Sequence, residues 1–361
     1  MLQHPEITEW LRETDESRLA ELWHRADQTR RQFVGDEVHL RGLVELSNIC
    51  IRMCGYCGLR MGNDRLSRYR MTQEEIFECA QQAADFGYGT VVLQAGEDPG
   101  IEDVWMAEII RRIKDETPLA VTLSLGERHD GELTAWRTAG ADRYLLRFET
   151  SNRRLYDAIH PPAFHKTESD RVAILHTLKT LGYEVGSGVM IGIPGQSYDD
   201  LARDIELFGE LDLDMIGVGP FLSHPETPLG QSGGPVEISD EDQVPSDELT
   251  TYKVMALARL VCPKANIPST TALATLNSAT GRELGLQRGG NVVMPNLTPR
   301  NYRALYEIYP DKACVTETAE DCNSCIKGRI RALDRQIGTG RGGSPNYAPD
   351  DATLETAQRA T

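Results

Sequence analysis

Cys50-Ile51-Arg52-Met53-Cys54-Gly55-Tyr56-Cys57 places three cysteines within eight positions, spaced C-x3-C-x2-C. The residues before it, Leu40-Arg41-Gly42-Leu43-Val44-Glu45-Leu46-Ser47-Asn48, read as a strand. The cysteines therefore fall on the loop that leaves its C-terminal end. Three thiolates on a short loop can hold one metal centre, and the number bears on its kind. A closed structural zinc site takes four ligands, whereas a reactive centre keeps a position open. An iron–sulphur cube normally takes four cysteines, so three thiolates leave one iron open to a small molecule. The alternative is a zinc-binding or plainly buried cysteine cluster. Against it, no fourth ligand lies close by in the sequence, and a loop after a strand suits a catalytic site.

Outward from this loop the chain alternates. Two helices are expected over residues 6–33, with Asp15 or Ser17 capping the second and Leu19, Leu22 and Trp23 forming its apolar stripe. Thr72 and Glu75 form a capping box that opens a helix running to about Phe86, and Gly87 ends it. Strands are expected at 90–94, 120–125, 143–149, 184–193 and 215–219, with the last two at 267–272 and 290–294. Helices are expected at about 101–115, 131–139, 152–159, 170–181 and 198–210, and another reaches about Val261 after an acidic insertion at 231–247. Apolar strands alternating with helices mean a parallel sheet covered by helices. The expected fold is thus α/β, a (β/α)8 TIM-type barrel over residues 37–309. A helical cover (1–36) precedes it, and a C-terminal extension (310–361) carries a second cysteine triad and ends in a flexible tail from Gly338. The runner-up is an open doubly wound sheet, which lacks its G-x-G-x-x-G signature here.

The chain of 361 residues is 40% apolar, enough for a sizeable core. A formal charge of −17 argues against a nucleic-acid binder. No apolar run spans a membrane, and the first residues show no secretory signal. Eight cysteines, six of them in two triads, point to metal ligation in a reducing cytoplasm rather than to disulfides.

In a barrel the functional groups gather at the C-terminal ends of the strands. Those ends offer Cys50, Cys54 and Cys57, then Gly96, Glu97 and Asp98, then Thr122 and Ser124, and then Arg147 and Glu149. The last strands add Thr270, Thr271, Ala272 and Met294. Each has a plainer reading. Arg147 and Glu149 alternate on one strand and could be a barrel ion pair; Thr270 and Thr271 could cap a helix; Met294 could be core. Cys79 and Cys262 read as packing residues.

Val44-Glu45-Leu46-Ser47-Asn48-Ile49-Cys50, Tyr69-Arg70-Met71-Thr72, Val92 to Pro99, Thr122 to Glu127, Asp142 to Arg147 and Met294-Pro295-Asn296 together resemble the HydE branch of radical S-adenosylmethionine (radical SAM) enzymes, maturases of [FeFe]-hydrogenase. The resemblance runs from about residue 35 to about residue 330. It implies a 4Fe-4S cluster on Cys50, Cys54 and Cys57 that reduces S-adenosyl-L-methionine (SAM) to methionine and a 5′-deoxyadenosyl radical. Tyr56 would meet adenine through its backbone, Gly96 and Glu97 would lie by the methionine amine, and Ser124, Arg147, Glu149 and Arg171 would hold SAM, Arg171 through its carboxylate. Thr122, Thr270, Thr271, Ala272 and Met294 would line the pocket of a small cysteine-bound iron carbonyl–cyanide substrate. The chain departs from the pattern at Ala95, where the family often has Ser, and in a longer segment at 161–170. Cys314, Cys322 and Cys325, spaced C-x7-C-x2-C, are expected to hold an accessory 2Fe-2S or 4Fe-4S cluster away from the barrel mouth, with zinc or reduced thiols as alternatives. The implied partners are a reducing electron donor and the other hydrogenase maturases. A biotin-synthase-like or methylornithine-synthase-like substrate, or a non-catalytic iron–sulphur carrier, are the rival functions.

Overall fold

Alternate residues of β1 (Glu37–Ser47) have different jobs. Val38, Leu40, Val44 and Leu46 are buried in the main core, while Arg41, Leu43 and Glu45 line cavities inside the sheet. The period of two in the strand therefore separates a packing face from a chemical face. The structure is a computed structural model, and it describes residues 2–162, 169–234 and 236–347.

The strands that follow are β2 (Thr90–Ala95), β3 (Ala120–Ser124), β4 (Arg143–Leu145), β5 (Glu184–Ser187), β6 (Met190–Ile191), β7 (Met215–Ile216), β8 (Gly219–Pro220), β9 (Val292–Val293) and β10 (Gln336–Ile337). Parallel pairing runs from β1 through β2, β3, β4 and β5 to β7, and β9 pairs with the other side of β1. Helices follow the strands in sequence, as parallel crossovers require. This is a barrel-like parallel α/β sheet, with its core between the strands and the helices.

Several expected elements change. The strand expected at 184–193 splits: β6 leaves the main sheet and pairs only with β8. The strand expected at 143–149 stops at Leu145; beyond it Glu149, at a φ of 65°, pairs with Val189 as a single parallel bridge. No strand forms over 267–272. Asn266 bridges Met215 and Pro268 bridges Val292 as single residues, and Thr271–Leu276 is helical with Thr270 at its N-cap. Pro268 has no N–H to extend a ladder, and Thr270 is a helix-starting residue, which explains the change.

The ends are better ordered than composition indicates. The helices His4–Arg12 and Glu16–Val34 form as expected, and Asp15 caps the second by accepting from Ser17 N and Arg18 N. From Gly338 the glycine-rich stretch reads as a tail, yet residues 338–347 are hydrogen-bonded to the N-terminal side of the sheet. Arg341 O accepts from Arg143 and Thr90, and Gly342 O accepts from Arg41 and Asn266. Ser344 N donates to Glu184, which is itself paired with Arg143 at 2.6 Å. The rest of the expected tail, 348–361, lies outside the described residues. Among the described residues no helix is long and apolar enough to cross a membrane.

Asp204, on the helix Tyr198–Glu210, is fully buried and ties two loops together: Oδ1 accepts from Ser151 N and Oγ, and Oδ2 accepts from Gln196. Burial pushes its carboxyl up to about 7 from an ordinary 3.8, against the pull of the Ser151 hydrogen bonds. Between those values the folded chain keeps a proton that the unfolded chain has lost, so this group's contribution to stability falls as pH rises through that window. Urea midpoints of wild type and Asp204→Asn at about pH 5 and about pH 8 should show the variant losing part of this decline, a difference on the order of a few kcal/mol.

Candidate active site

Residues 48–69 carry no helix or strand, so the cysteine loop depends on side chains to satisfy its backbone. Arg68 does most of this, donating to the carbonyls of Asn48, Leu59, Arg60 and Asn63. Asn48 donates to Ser67 O and Leu305 O, and Arg60 donates to Cys54 O at 3.0 Å. Gly55 N reaches Ile159 O at 2.7 Å, and Gly58 N reaches Ile308 O at 3.0 Å. From beneath, the loop after β2 comes so close that a Cβ on Gly96 would meet Ile49 O and, at 2.8 Å, Cys50 Cβ. Gly96 is thus a packing requirement of the cysteine loop, and it does not line the cavity described below.

Cys50, Cys54 and Cys57 are free thiols, half-buried or buried. Burial pushes all three up, Cys57 to about 12, and each of Cys54 and Cys57 also feels its triad neighbours. Among the described residues no three His, Cys, Asp or Glu side chains close on a single ion. A donor set of three neighbouring thiols and no fourth ligand suits a cluster, whose separate irons each take one thiolate, better than a closed zinc site.

Two cations and two carboxylates lie against this loop. Arg52 pairs with Glu97 and, at 2.8 Å, with Glu127; Arg171 pairs with Glu127 at 2.9 Å and with Glu97 at 3.8 Å. Burial opposes ionisation of Glu127, but Arg171 and Arg52 outweigh it and hold its carboxyl below the usual range. Glu127 and Arg52 were not among the residues expected from sequence. Both lie in quoted segments, but neither occupies the last position of a strand. Tyr56 OH is 2.9 Å from His160 Nε2, and burial together with Arg171 and Arg52 pushes His160 well below its ordinary value.

Arg147 and Glu149 do meet, although not through strand alternation. Arg147 Nη2 donates to Val189 O and lies 2.9 Å from Glu149 Oε2. That approach lacks hydrogen-bond geometry, leaving Glu149 Oε2 and Arg147 Nε buried without a hydrogen-bond partner. A glutamate at positive φ with an unsatisfied buried oxygen is a strained arrangement of the kind found at ligand sites.

A cavity of about 330 Å³ opens at this end of the sheet. Cys57, Tyr56, Ser124, Arg147 and Glu149 line one part of it, and Thr270, Thr271, Ala272 and Met294 another. Thr122 does not reach it. It lines a smaller chamber of about 130 Å³ deeper in the sheet, shared with Thr270, Arg147 and Met294. Among the described residues the hydroxyls of Thr122 and Thr270 have no hydrogen-bond partner. Glu45, Gln94, Asn296, Tyr306, Lys312 and Arg282 also line the larger cavity. Sequence reading missed these as site residues; for Glu45 the available signal was a carboxylate in the middle of a buried strand.

The second triad is not remote from the mouth, contrary to expectation. Cys314 sits in the wall of the same cavity, with Arg282 Nη2 3.6 Å from its sulphur. Cys322 and Cys325 lie on the helix Ala319–Ala332. Cys322 hydrogen-bonds Cys314, and this contact, with Arg282, pulls the Cys314 thiol down, while Cys325 is exposed. Cys79 and Cys262 are buried in the core.

A barrel-like parallel sheet with a three-cysteine loop at the end of its first strand defines a radical SAM protein, and the radical SAM superfamily profile matches residues 44–208. That class carries a 4Fe-4S cluster and SAM. The [FeFe] hydrogenase maturase subunit HydE of Thermotoga maritima is 46% identical over 322 residues, 89% of this chain and 88% of that protein. A 3-methylornithine synthase of Methanosarcina acetivorans is 27% identical over 77% of this chain and 75% of its own. Among solved structures, methylornithine synthase (PylB) superposes with a TM-score of 0.75 at 24% identity, covering 99% of this chain and 96% of its own, which shows the shared fold. The chain belongs to the HydE family of radical SAM proteins.

Arg68→Met should strand the carbonyls that Arg68 holds and loosen the cysteine loop. After anaerobic reconstitution and gel filtration it should retain less iron than wild type. Arg65→Met, at a side chain that is 76% exposed and among the described residues pairs with Glu226, should retain as much.

Proposed function

We propose that this chain is a hydrogenase maturase of the HydE type, reductively cleaving SAM and acting on a small cysteine-bound iron carbonyl–cyanide substrate in assembly of the [FeFe]-hydrogenase centre. The observation that carries this reading is the position of Cys57 in the wall of a cavity whose lining also includes Arg147, Glu149 and Thr270, the last two with a buried oxygen that takes no hydrogen bond among the described residues. An iron–sulphur carrier has no need of such a cavity. When bound on Cys50, Cys54 and Cys57, the cluster supplies one electron to the sulfonium of SAM.

The protein's own residues bind and orient. Tyr56, Gly96, Glu97, Ser124, Arg147, Glu149 and Arg171 form the SAM side. Arg171 meets the SAM carboxylate only by loosening its contacts with Glu127 and Glu97, and Arg52 keeps both carboxylates paired when it does. Glu149 Oε2, ion-paired with Arg147 at 2.9 Å, keeps capacity to accept a hydrogen bond. Thr270, Thr271, Ala272 and Met294 form the substrate side, with Thr122 below them. Electrons come from an external reductant, and the product passes to the other maturases. Cys314, Cys322 and Cys325 hold an accessory 2Fe-2S or 4Fe-4S cluster. We further read the bridges at Asn266 and Pro268 as the seventh position of an eight-stranded (β/α)8 barrel over 37–309, with 1–36 as a cover and 310–361 as an extension.

Cys57→Ser should abolish 5′-deoxyadenosine release from reduced protein, because a hydroxyl is a poor ligand for iron; release at the wild-type rate would overturn the assignment. Replacing Cys314, Cys322 and Cys325 together with Ser should lower iron content and leave SAM cleavage without substrate largely intact. Changing Thr270 and Thr271 to Val keeps their shape but removes two donors, at about 1–3 kcal/mol for each acceptor left unpaired. A paired assay should find 5′-deoxyadenosine release preserved and hydrogenase activation lost in a complementation system. Loss of both would place these threonines in the SAM site or the scaffold.

A further inference from the structure

Glu45 and Lys312 form an ion pair that packing alone does not call for. Lys312 Nζ lies 2.8 Å from Glu45 Oε1, and their side chains are 5% and 3% exposed. Taking two charges out of water is expensive, and a well-packed apolar pair usually serves stability as well or better. Both residues line the 330 Å³ cavity that Cys57 also lines. Their hydrogen bonding is incomplete on the side of Lys312. An ammonium has three N–H donors; one goes to Glu45 Oε1 and one to Tyr306 O at 2.9 Å; among the described residues no oxygen or nitrogen accepts the third, and Nζ lies 5.0 Å from the centre of the Tyr306 ring. Glu45 accepts once at each oxygen, from Lys312 and from Asn296 Nδ2 at 3.0 Å, whereas a carboxylate can accept about four times. A donor and an acceptor, both buried and both with capacity left, thus stand side by side in the wall of a cavity.

We propose that Glu45 and Lys312 clamp the α-amino acid end of the substrate, Lys312 donating to its carboxylate and Glu45 accepting from its ammonium. The proposal rests on the reading that this cavity takes a small substrate bearing an amino acid. A zwitterion is the ligand that satisfies both partners without leaving either buried charge unpaired, and charge-assisted hydrogen bonds in a buried site are the strong ones. The pair also joins β1 to the segment leading into Cys314, so binding at the clamp and seating of that segment are mechanically linked.

The test is calorimetric titration, under anaerobic conditions, of the reconstituted, SAM-loaded protein with L-cysteine, cysteamine and 3-mercaptopropionate. These probes share a thiol but lack neither, the carboxylate and the ammonium group, respectively. Wild type should bind L-cysteine at least about tenfold more tightly than either analogue, as expected for loss of one charged hydrogen bond. Lys312→Met should bind L-cysteine no better than wild type binds cysteamine, and Lys312→Arg should restore part of the difference. Equal affinity for the three probes in wild type, or no binding of L-cysteine, overturns the clamp and leaves the pair as a latch for the C-terminal segment; neither result needs a variant to fold. Unchanged L-cysteine affinity in Lys312→Met overturns it as well. Release of 5′-deoxyadenosine by the same wild-type preparation separates the two readings: cleavage without probe discrimination sinks the clamp alone, whereas absence of cleavage sinks the proposed function.

Discussion

The loop that presents the first three thiols carries neither helix nor strand over residues 48–69, and the rest of this structure accommodates that constraint. The loop 48–69 has polar groups that regular structure would have paired. One guanidinium, Arg68, gathers four of its carbonyls, which only a planar fork of several donors can do from one position. The loop after β2 then supports it from below, and this contact tolerates no side chain at Gly96. Asp98, two residues on, is fully buried and held by Arg70 through both oxygens and by Ser47. The thiol loop is therefore fastened at its start by the end of β1, beneath by the loop after β2, and at its close by the C-terminal segment through Ile308.

Electrostatics around this loop are arranged in advance of any ligand. Arg52 and Arg171 alternate with Glu97 and Glu127, so neither carboxylate is left uncompensated when one cation is drawn elsewhere. At Glu149 the compensation is less complete: Oε2 lies 2.9 Å from Arg147 Nη2 but takes no hydrogen bond among the described residues, and the backbone is held at positive φ. A buried carboxylate oxygen that takes no hydrogen bond is costly to keep. One region of the site is thus paired twice over, and the other is ion-paired yet short of a hydrogen bond.

Much of this was legible in the sequence because it is local. The cysteine spacing, the Thr72–Glu75 capping box and the alternation of apolar strands with helices depend on near neighbours, and they hold. What was not legible depends on partners far along the chain. Arg143–Glu184 and Arg41–Gly342 join residues dozens to hundreds apart, so a glycine-rich end with no apolar period looks free when it is hydrogen-bonded. Glu45 reads as one polar residue in a strand until Lys312 stands beside it. Strand ends differ for a related reason: β4 stops at Leu145, and four residues on Glu149 sits at positive φ in a single bridge to Val189, a turn that no propensity forecasts.

The seam between β7 and β9 explains why the C-terminal extension matters to the site. There the sheet is connected by single bridges at Asn266 and Pro268 rather than by a ladder. A seam without a ladder lets the main cavity and the deeper chamber share Thr270 and Met294. It also leaves Arg41 and Asn266 needing partners, which residue Gly342 supplies from the N-terminal side of the sheet. At the opposite end Lys312 reaches Glu45 on the same strand that carries Arg41. The extension thus grips β1 at two heights, below the cavity and within its wall. A chain that gave the seam a full ladder would close the sheet without this help, but it would replace Thr270 with an extended residue and lose the hydroxyl that now faces the cavity unpaired. The weak seam and the C-terminal grip meet at β1: β9 and the single bridges at Pro268 and Asn266 connect the sheet there, and the extension adds hydrogen bonds to Arg41 and Asn266 beside that seam.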